Sequence, residues 1–431
     1  MNDIYSILDK AKNLGYSAEV FHVKLFERDV NVATQTSNKD LYEEGYGLRI
    51  MKDCKLGFSY SNTLHEDILD SAINVFNAVS EKDCNYQIPS PEGKVNYLST
   101  IHLLSFNELT NKEEELNKQI RDYSEDLKKS GINIVEYNLS AFEVEIEVVN
   151  TEGIDVKEKK SGIGVFFIIN KELEGGTVTP EIYEYTYSSN PKDINLEQII
   201  EEVKDKVVKL ERSNKKDIDK DIDVIFTPKA LSELFMPLFS HAISVENVSR
   251  GKSPLSQLSL LKNEKLTIID DPQYAYALAS RSFDSEGLPT SPTVLVDNGK
   301  INSFLSNTYW SKKANVKNTH SATRTYLTLP TISPTNIRIE FSEIGDVFYG
   351  KALVVDQVQG VHTSDFDTGN FSVNVSLGWY FDGNEESGKY NVVLNGNIID
   401  LINGMKVMTK DSRRYGNIVT GMVRVRGLKV V

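Results

Sequence analysis

The sequence predicts an α+β protein with two domains. Residues 1–215 read as a mixed α/β N-terminal domain, and residues 216–431 as a mainly antiparallel β domain built around one central helix. Three observations lead there. Helical and strand periodicities come in blocks rather than in strict strand–helix alternation, which argues against a doubly wound parallel sheet. The 431 residues exceed what one ordinary core encloses. Between 211 and 220 the chain runs Glu-Arg-Ser-Asn-Lys-Lys-Asp-Ile-Asp-Lys, polar and without an apolar period, as a linker does.

The N-terminal elements follow in order. Ile4, Ile7, Leu8, Ala11 and Leu14 have helical spacing, with Asn2 or Asp3 as cap and Gly15 as terminator. Residues 18–60 read as a β-meander, and Gly45 and Gly47 flank Tyr46 where a bulge or a close backbone approach fits. Ile68, Leu69, Ala72, Ile73, Phe76 and Val79 make a second helix, with Asn62 or Thr63 as its cap. A third, near 106–130, ends at Gly131. Strands at 133–148 and 162–170 precede a charged helix near 194–211, and Gly175-Gly176 reads as a hairpin turn. Beyond the linker, a strand at 222–227 enters the central helix, about 228–243. The last third is strand-rich. Its clearest piece is Phe371–Trp379, apolar at every second residue, a half-buried antiparallel strand whose neighbouring edges offer an extended peptide a place to pair.

Composition narrows the function. Forty-eight basic against 62 acidic side chains leave a formal charge of −14. That charge repels phosphate backbones, and no recognition motif offsets it, so nucleic acid is not an expected partner. The start lacks a basic n-region and an apolar h-region, and the longest apolar run, Ile163–Ile169, is too short to span a bilayer, so no membrane association is expected. Two cysteines, Cys54 and Cys84, suggest neither a disulfide framework nor a CxxC site, and the cytoplasm follows as the default location.

Catalytic signatures are scarce. Six histidines occur (His22, His65, His102, His241, His320, His362), with no His-Glu-x-x-His among them. His65-Glu66-Asp67 reads as a helix start, acids in the first turn complementing the dipole, and His22 as a strand residue. There is no Gly-x-Ser-x-Gly elbow and no phosphate loop. What remains is a succession of acidic and glycine-rich turns: Asp270-Asp271-Pro272, Phe283-Asp284-Ser285-Glu286-Gly287-Leu288-Pro289-Thr290, Val358–His362 and Asp367-Thr368-Gly369-Asn370-Phe371-Ser372. Asp270, Asp271, Asp284 and Glu286 also define an alternative, a stand-alone hydrolase with an oxygen-ligated metal, if they converge in a pocket with raised pKa values.

This succession resembles the TldD/PmbA family, also known as modulators of DNA gyrase. Gly45-Tyr-Gly-Leu-Arg-Ile50, Arg250-Gly-Lys-Ser253, Asp270-Asp-Pro272, 283–290, Gly299-Lys-Ile301 and Thr368–Ser372 match its motifs in order, covering roughly residues 15–431. TldD-type members resemble zinc peptidases with His-Glu-x-x-x-His on the central helix and a cysteine near the C-terminus. Aligned without gaps, those positions hold Met236, Pro237 and His241, and no cysteine follows residue 84. Proline at 237 is expected to kink or end the helix. The pattern is similar to the TldE/PmbA-type branch, which shares the fold without the zinc motif. That resemblance implies no cofactor and no catalytic residue in this chain, and zinc in a TldD-like partner. It further implies cleavage of unfolded or extended peptides in a closed chamber, and leaves room for a homodimer. Candidate peptide-binding residues are His241, Asp271, Asp284, Glu286, Gly287, Thr368, Gly369 and Asn370.

Overall fold

The alternation over residues 17–61 closes into three antiparallel strands, each side chain pointing opposite to the next. In the computed structural model, which describes residues 3–173, 175–213 and 217–431, α1 (Ile4–Asn13) leads into β1 (Ser17–Val32), β2 (Thr36–Lys52) and β3 (Lys55–Ser61). Then come α2 (Asp67–Ala78), α3 (Phe106–Lys129), β4 (Ile132–Asn150), β5 (Asp155–Lys171), β6 (Ile182–Ser188) and α4 (Leu196–Glu211). The strands form one antiparallel sheet, ordered β3-β2-β1-β4-β5-β6. Asp3 caps α1 by accepting the Ser6 N–H, and Ser105 and Glu108 form a capping box on α3. The alternative cap, Asn2, and the boundary between 215 and 216 lie outside the described residues.

Period two gives this sheet two jobs. Leu139, Ala141 and Val149 of β4 share one face with Leu48, Ile50, Ile163 and Val165, and the four helices bury their stripes there. α2 contributes Ile68, Leu69, Ala72 and Phe76, and α4 contributes Ile200, Val203 and Val207. Each such aliphatic side chain stabilises the fold by about 1.5–3 kcal/mol on burial. Ile146 and Val148 point the other way with Phe21, onto Phe283 and Leu288 of the C-terminal half. The two halves therefore share a packed seam.

The C-terminal half runs β7 (Asp223–Phe226), α5 (Pro228–Ala242), α6 (Val245–Ser249), β8 (Leu266–Asp270), β9 (Thr293–Asp297), β10 (Lys300–Ile301) and α7 (Thr308–Lys313). It continues with β11 (Ala322–Thr323), β12 (Thr331–Ile332), β13 (Ile337–Phe341), β14 (Ala352–Gln359), β15 (Asn370–Phe381), β16 (Glu386–Gly388), β17 (Val392–Asn397) and α8 (Ile398–Gly404). Short strands β18 (Met405–Met408), β19 (Arg413–Tyr415), β20 (Ile418–Thr420), β21 (Val423–Val425) and β22 (Lys429–Val430) finish it. Two large sheets result, β10-β9-β8-β13-β20-β19 and β18-β21-β7-β14-β15-β17-β22, mostly antiparallel apart from β13/β20 and β7/β14, and β11 pairs with β12 in a small third one. α5 starts with Pro228 in its first turn and Thr227 accepting the Ala230 N–H. Its stripe Leu231, Leu234, Phe235, Leu238, Phe239 shares one core with Leu266 and Ile268 of the first sheet and Leu353 and Val355 of the second. This is the central helix the sequence predicts.

Three expectations are corrected. α5 runs through Pro237 to Ala242. Pro237 sits on the exposed side, while Leu234, Phe235, Leu238 and Phe239 hold the helix in the core on both flanks, so packing outweighs the missing N–H. The residue at the cap of α2 is Glu66, with no side-chain cap bond, rather than Asn62 or Thr63. β15 itself is flanked along most of its length, by β14 over Asn374–Phe381 on one side and by β17 and β16 over Asn370–Val375 and Trp379–Phe381 on the other. Cys54 and Cys84 form a disulfide that fastens the β2–β3 turn to the segment after α2. Their scarcity therefore no longer argues for a reducing compartment.

Gly45 and Gly47 mark a close approach. A Cβ at Gly45 would lie 2.4 Å from the Tyr326 ring, and one at Gly47 2.5 Å from the Tyr326 carbonyl oxygen. A ring can swing aside, but backbone inside a packed seam cannot do so cheaply. Gly47→Ala is expected to destabilise the protein by about 1–3 kcal/mol through overpacking, read as a lowered denaturant midpoint; an unchanged midpoint would show that the seam yields.

Candidate functional site

The helix that buries one face in the core presents the other outward. On α5 this outer face carries Ser232, Glu233, Met236, Pro237, Ser240 and His241, all partly or fully exposed. Period 3.6 places them in one row. The end of β14 and the turn after it lie against this row. Glu233 accepts the Val358 N–H through Oε2 at 2.8 Å, while its buried Oε1 has no partner of good geometry, although the Tyr183 phenol lies close by. Burial pushes its carboxyl up to about 7, with Lys229 and the Val358 amide opposing that rise.

At the far end of the row, His241 is held in place. Its Nε2 is 2.7 Å from the Lys252 carbonyl and 3.0 Å from Asp367 Oδ1, and its ring meets Phe366 edge-on. A carbonyl only accepts, so Nε2 carries the proton and has no lone pair to offer a metal. Ser253 closes this corner by donating to the Ala242 carbonyl and accepting the Leu255 N–H. That is the structural role of the Arg250-Gly-Lys-Ser253 motif.

The remaining sequence candidates separate into two groups. Thr368 and Asn370 are exposed in a turn beside Asp367, hence beside His241, while Gly369 between them is buried. Asp365 accepts the Asp367 and Thr368 N–H groups, and Asn397 donates to the Thr368 carbonyl and to Asn370. Gly369 has φ +77°, and a Cβ there would sit 2.5 Å from Ile398 Cγ2.

Asp271, Asp284, Glu286 and Gly287 instead belong to the interior and the seam. Asp271 accepts the Gln273 N–H and pairs with Arg338 at 2.9 Å. Asp284 accepts the N–H groups of Glu286, Leu288 and Ala322. Glu286 binds Arg49 at 3.1 Å and accepts the Thr308 N–H at 2.9 Å. A Cβ at Gly287 would sit 2.4 Å from Ile154. Asp270, buried, accepts both the N–H and the hydroxyl of Thr335. Each of the four carboxylates thus caps a turn or meets an arginine, although burial raises the pKa of Asp270 and Asp284. No three His, Cys, Asp or Glu side chains among the described residues gather in a metal-holding group. The oxygen-ligated hydrolase alternative is therefore set aside on geometry.

Two buried ion clusters escaped the sequence reading. Arg49 makes a fork with Glu19 at 2.8 and 2.9 Å, and Arg324 reaches the same Glu19. Behind α5, Lys206 and Lys229 share Glu184 and Asp356, with Lys206 2.7 Å from Asp356. Tyr415 adds a hydrogen bond to Glu184 at 2.9 Å. Burial raises the pKa of both carboxylates, but the two lysines more than offset it and keep them ionised. Arg49 was legible inside its motif. Lys229 was not, since a lysine in the first turn of a helix usually points to water.

Comparison with known proteins now places the chain. Residues 101–211 match the family model described as the PmbA/TldA metallopeptidase central domain, and residues 219–431 the one described as its C-terminal domain. The chain belongs to the TldD/PmbA family. It is 26% identical over 433 residues to an uncharacterized protein of Methanocaldococcus jannaschii, covering 99% of each chain. A metalloprotease PmbA homolog of Haemophilus influenzae is 25% identical over 166 residues, 38% of this chain and 35% of that one. TldE from Thermococcus kodakarensis superimposes with a TM-score of 0.85 at 20% identity, covering 99% of each chain, which is a likeness of fold. Against the TldD/PmbA family's zinc chemistry, the donor set on α5 does not fit: Met236 offers a thioether and Pro237 no ligand atom, which leaves a single imidazole, with only its Nδ1 lone pair, where zinc needs three protein ligands.

Asp270 supplies a pH test. Its folded pKa of about 6 lies above the ordinary 3.8, so the folded state holds an extra proton between those values. Stability therefore falls as pH rises from about 4 to 6, by roughly 3 kcal/mol for a shift of this size. Asp270→Asn, which keeps an acceptor for Thr335, is expected to flatten that segment of the stability–pH curve; an unchanged slope in denaturant titrations at successive pH values would assign it to other groups.

Proposed function

We propose that this chain is a non-catalytic, TldE/PmbA-like subunit of a TldD-type metalloprotease, acting in the cytoplasm and contributing peptide binding or gating to proteolysis. The observation that carries the reading is the outer face of α5, where Met236 and Pro237 occupy the positions of the zinc-binding histidine and the general base, and His241 is committed to Lys252 and Asp367. Zinc then belongs to a TldD-like partner, and this chain carries no cofactor. Contact with an extended or unfolded peptide falls to the exposed side-chain surface of Thr368 and Asn370 and to the half-buried ring of His241, with Gly369 buried beneath them to shape the turn. The fold shared with TldE of Thermococcus kodakarensis and the family membership both support this assignment. Among the described residues no helix is long and apolar enough to cross a membrane. A homodimer of the isolated chain is compatible with the reading and is separated from the heteromer by mass in the same experiment.

The test is metal content by mass spectrometry, with peptide cleavage, on the chain alone and after co-expression with a TldD-type partner. Zinc and chelator-sensitive cleavage are expected only in the complex, and His241→Ala is expected to leave the zinc content unchanged. Stoichiometric metal with cleavage by the isolated chain would sink the proposal.

A further inference from the structure

On the sheet face opposite the four helices, a cavity of about 290 Å³ lies between β1, β4 and β5 and the loops of the C-terminal half. Lys160, Arg281, Ser285 and Arg324 line it, together with Glu158 and Asp284. The two carboxylates are turned to backbone amides. Glu158 accepts the Ser282 N–H at 3.1 Å, and Asp284 accepts three N–H groups at 2.9, 3.1 and 3.2 Å.

The cationic side chains are not matched in the same way. Arg324 is only 1% exposed, gives Nη2 to Glu19 and lies over the Phe21 ring at 4.5 Å, while its Nε and Nη1 have no partner among the described residues. Arg281 gives Nη1 to the Ala322 carbonyl at 2.8 Å, and its Nε has none. The Ser285 hydroxyl has none either. Folded interiors seldom leave buried polar atoms unpaired, and here the unpaired atoms on one wall are guanidinium donors and a hydroxyl. Burial lowers the Lys160 amine to about 8, since Glu158 only partly offsets it and Arg281 adds to it. Arg324 answers Glu19, so what this wall offers is unpaired guanidinium and hydroxyl donors rather than surplus charge.

We propose that this cavity binds a small oxyanion, a carboxylate or a phosphate, whose oxygens accept from Arg281, Arg324 and Ser285 beside the charge of Lys160. Planar guanidinium groups suit paired oxygens, and the volume suits a group of a few atoms. The site lies across the seam from α5 and does not depend on the subunit reading, because binding is measured on this chain alone.

The experiment is calorimetric titration of the full chain with acetate, inorganic phosphate, a short peptide as its free acid, and the same peptide as its C-terminal amide. One oxyanion is expected to bind at a single site, weakened about tenfold or more by Lys160→Met and by Arg281→Met, as loss of a charged hydrogen bond implies. Arg324→Met also disturbs Glu19 and can impair folding, so Ser285→Ala, expected to weaken binding a few-fold with an unchanged circular dichroism spectrum, serves as the independent variant. Free-acid peptide binding without amide binding identifies a peptide terminus, and phosphate or acetate binding without peptide binding identifies a free anion; both support the site. No binding by any probe, equal binding of acid and amide, or affinity unchanged in all the variants overturns it and leaves the cavity to water.

Discussion

The position of α5 depends on a buried exchange of charge behind it. Lys229 in its first turn and Lys206 on α4 share Glu184 of β6 and Asp356 of β14, so one cluster joins the N-terminal sheet, its last helix, the central helix and the C-terminal sheet. Desolvating four charges is costly, and such a cluster adds little net stability over an apolar equivalent. Losing one member, however, strands the others at about 3–5 kcal/mol. What the cluster confers is position. The inner stripe of α5 packs without direction among aliphatic neighbours, whereas its ionic end has fixed partners. The outer row from Glu233 to His241 is therefore presented at a set height above the turn following β14.

A second exchange, Glu19 with Arg49 and Arg324 and Arg49 with Glu286, does the same across the seam. Around it stand two of the six motifs that carry the family resemblance, residues 45–50 and 283–290. Gly45 and Gly47 let Tyr326 approach the sheet, Gly287 lets the 283–288 turn meet Ile154, and Asp284 folds that turn by accepting its amides. In this chain those motifs are joints between halves. A motif read as candidate chemistry is here explained by close packing and by satisfied backbone donors, which accounts for acidic turns that look like an active site in sequence yet hold no free carboxylate pair.

Much of the fold was legible because one-dimensional periodicity carries it. The stripe of α1, the meander of 17–61, the alternation of Phe371–Trp379 and the helix beginning at Pro228 each follow from the spacing of apolar side chains, and each appears within a few residues of its expected bounds. The errors were of another kind. Pro237 was expected to break α5 because local propensity was weighed without the core on either side of it. The alternation of Phe371–Trp379 could not say which strands flank it, because a strand's neighbours are not written in the strand. Cys54 and Cys84 gave no sign of pairing, since thirty residues of separation say nothing about a turn and a loop meeting in space.

The sequence by itself determined the elements, the family resemblance, and the replacement of a zinc motif by Met236 and Pro237, because all three depend on residue identity at known spacing. Only the tertiary structure decided where the charges go. Which lysine is buried, which carboxylate caps a turn, that His241 gives its Nε2 proton to a carbonyl, and that Arg281 and Arg324 face one cavity with donors unspent are facts of long-range contact. The physical reason is that hydrogen bonds and ion pairs act over about 3 Å, and the residues within that distance here lie as many as 305 positions apart in the chain.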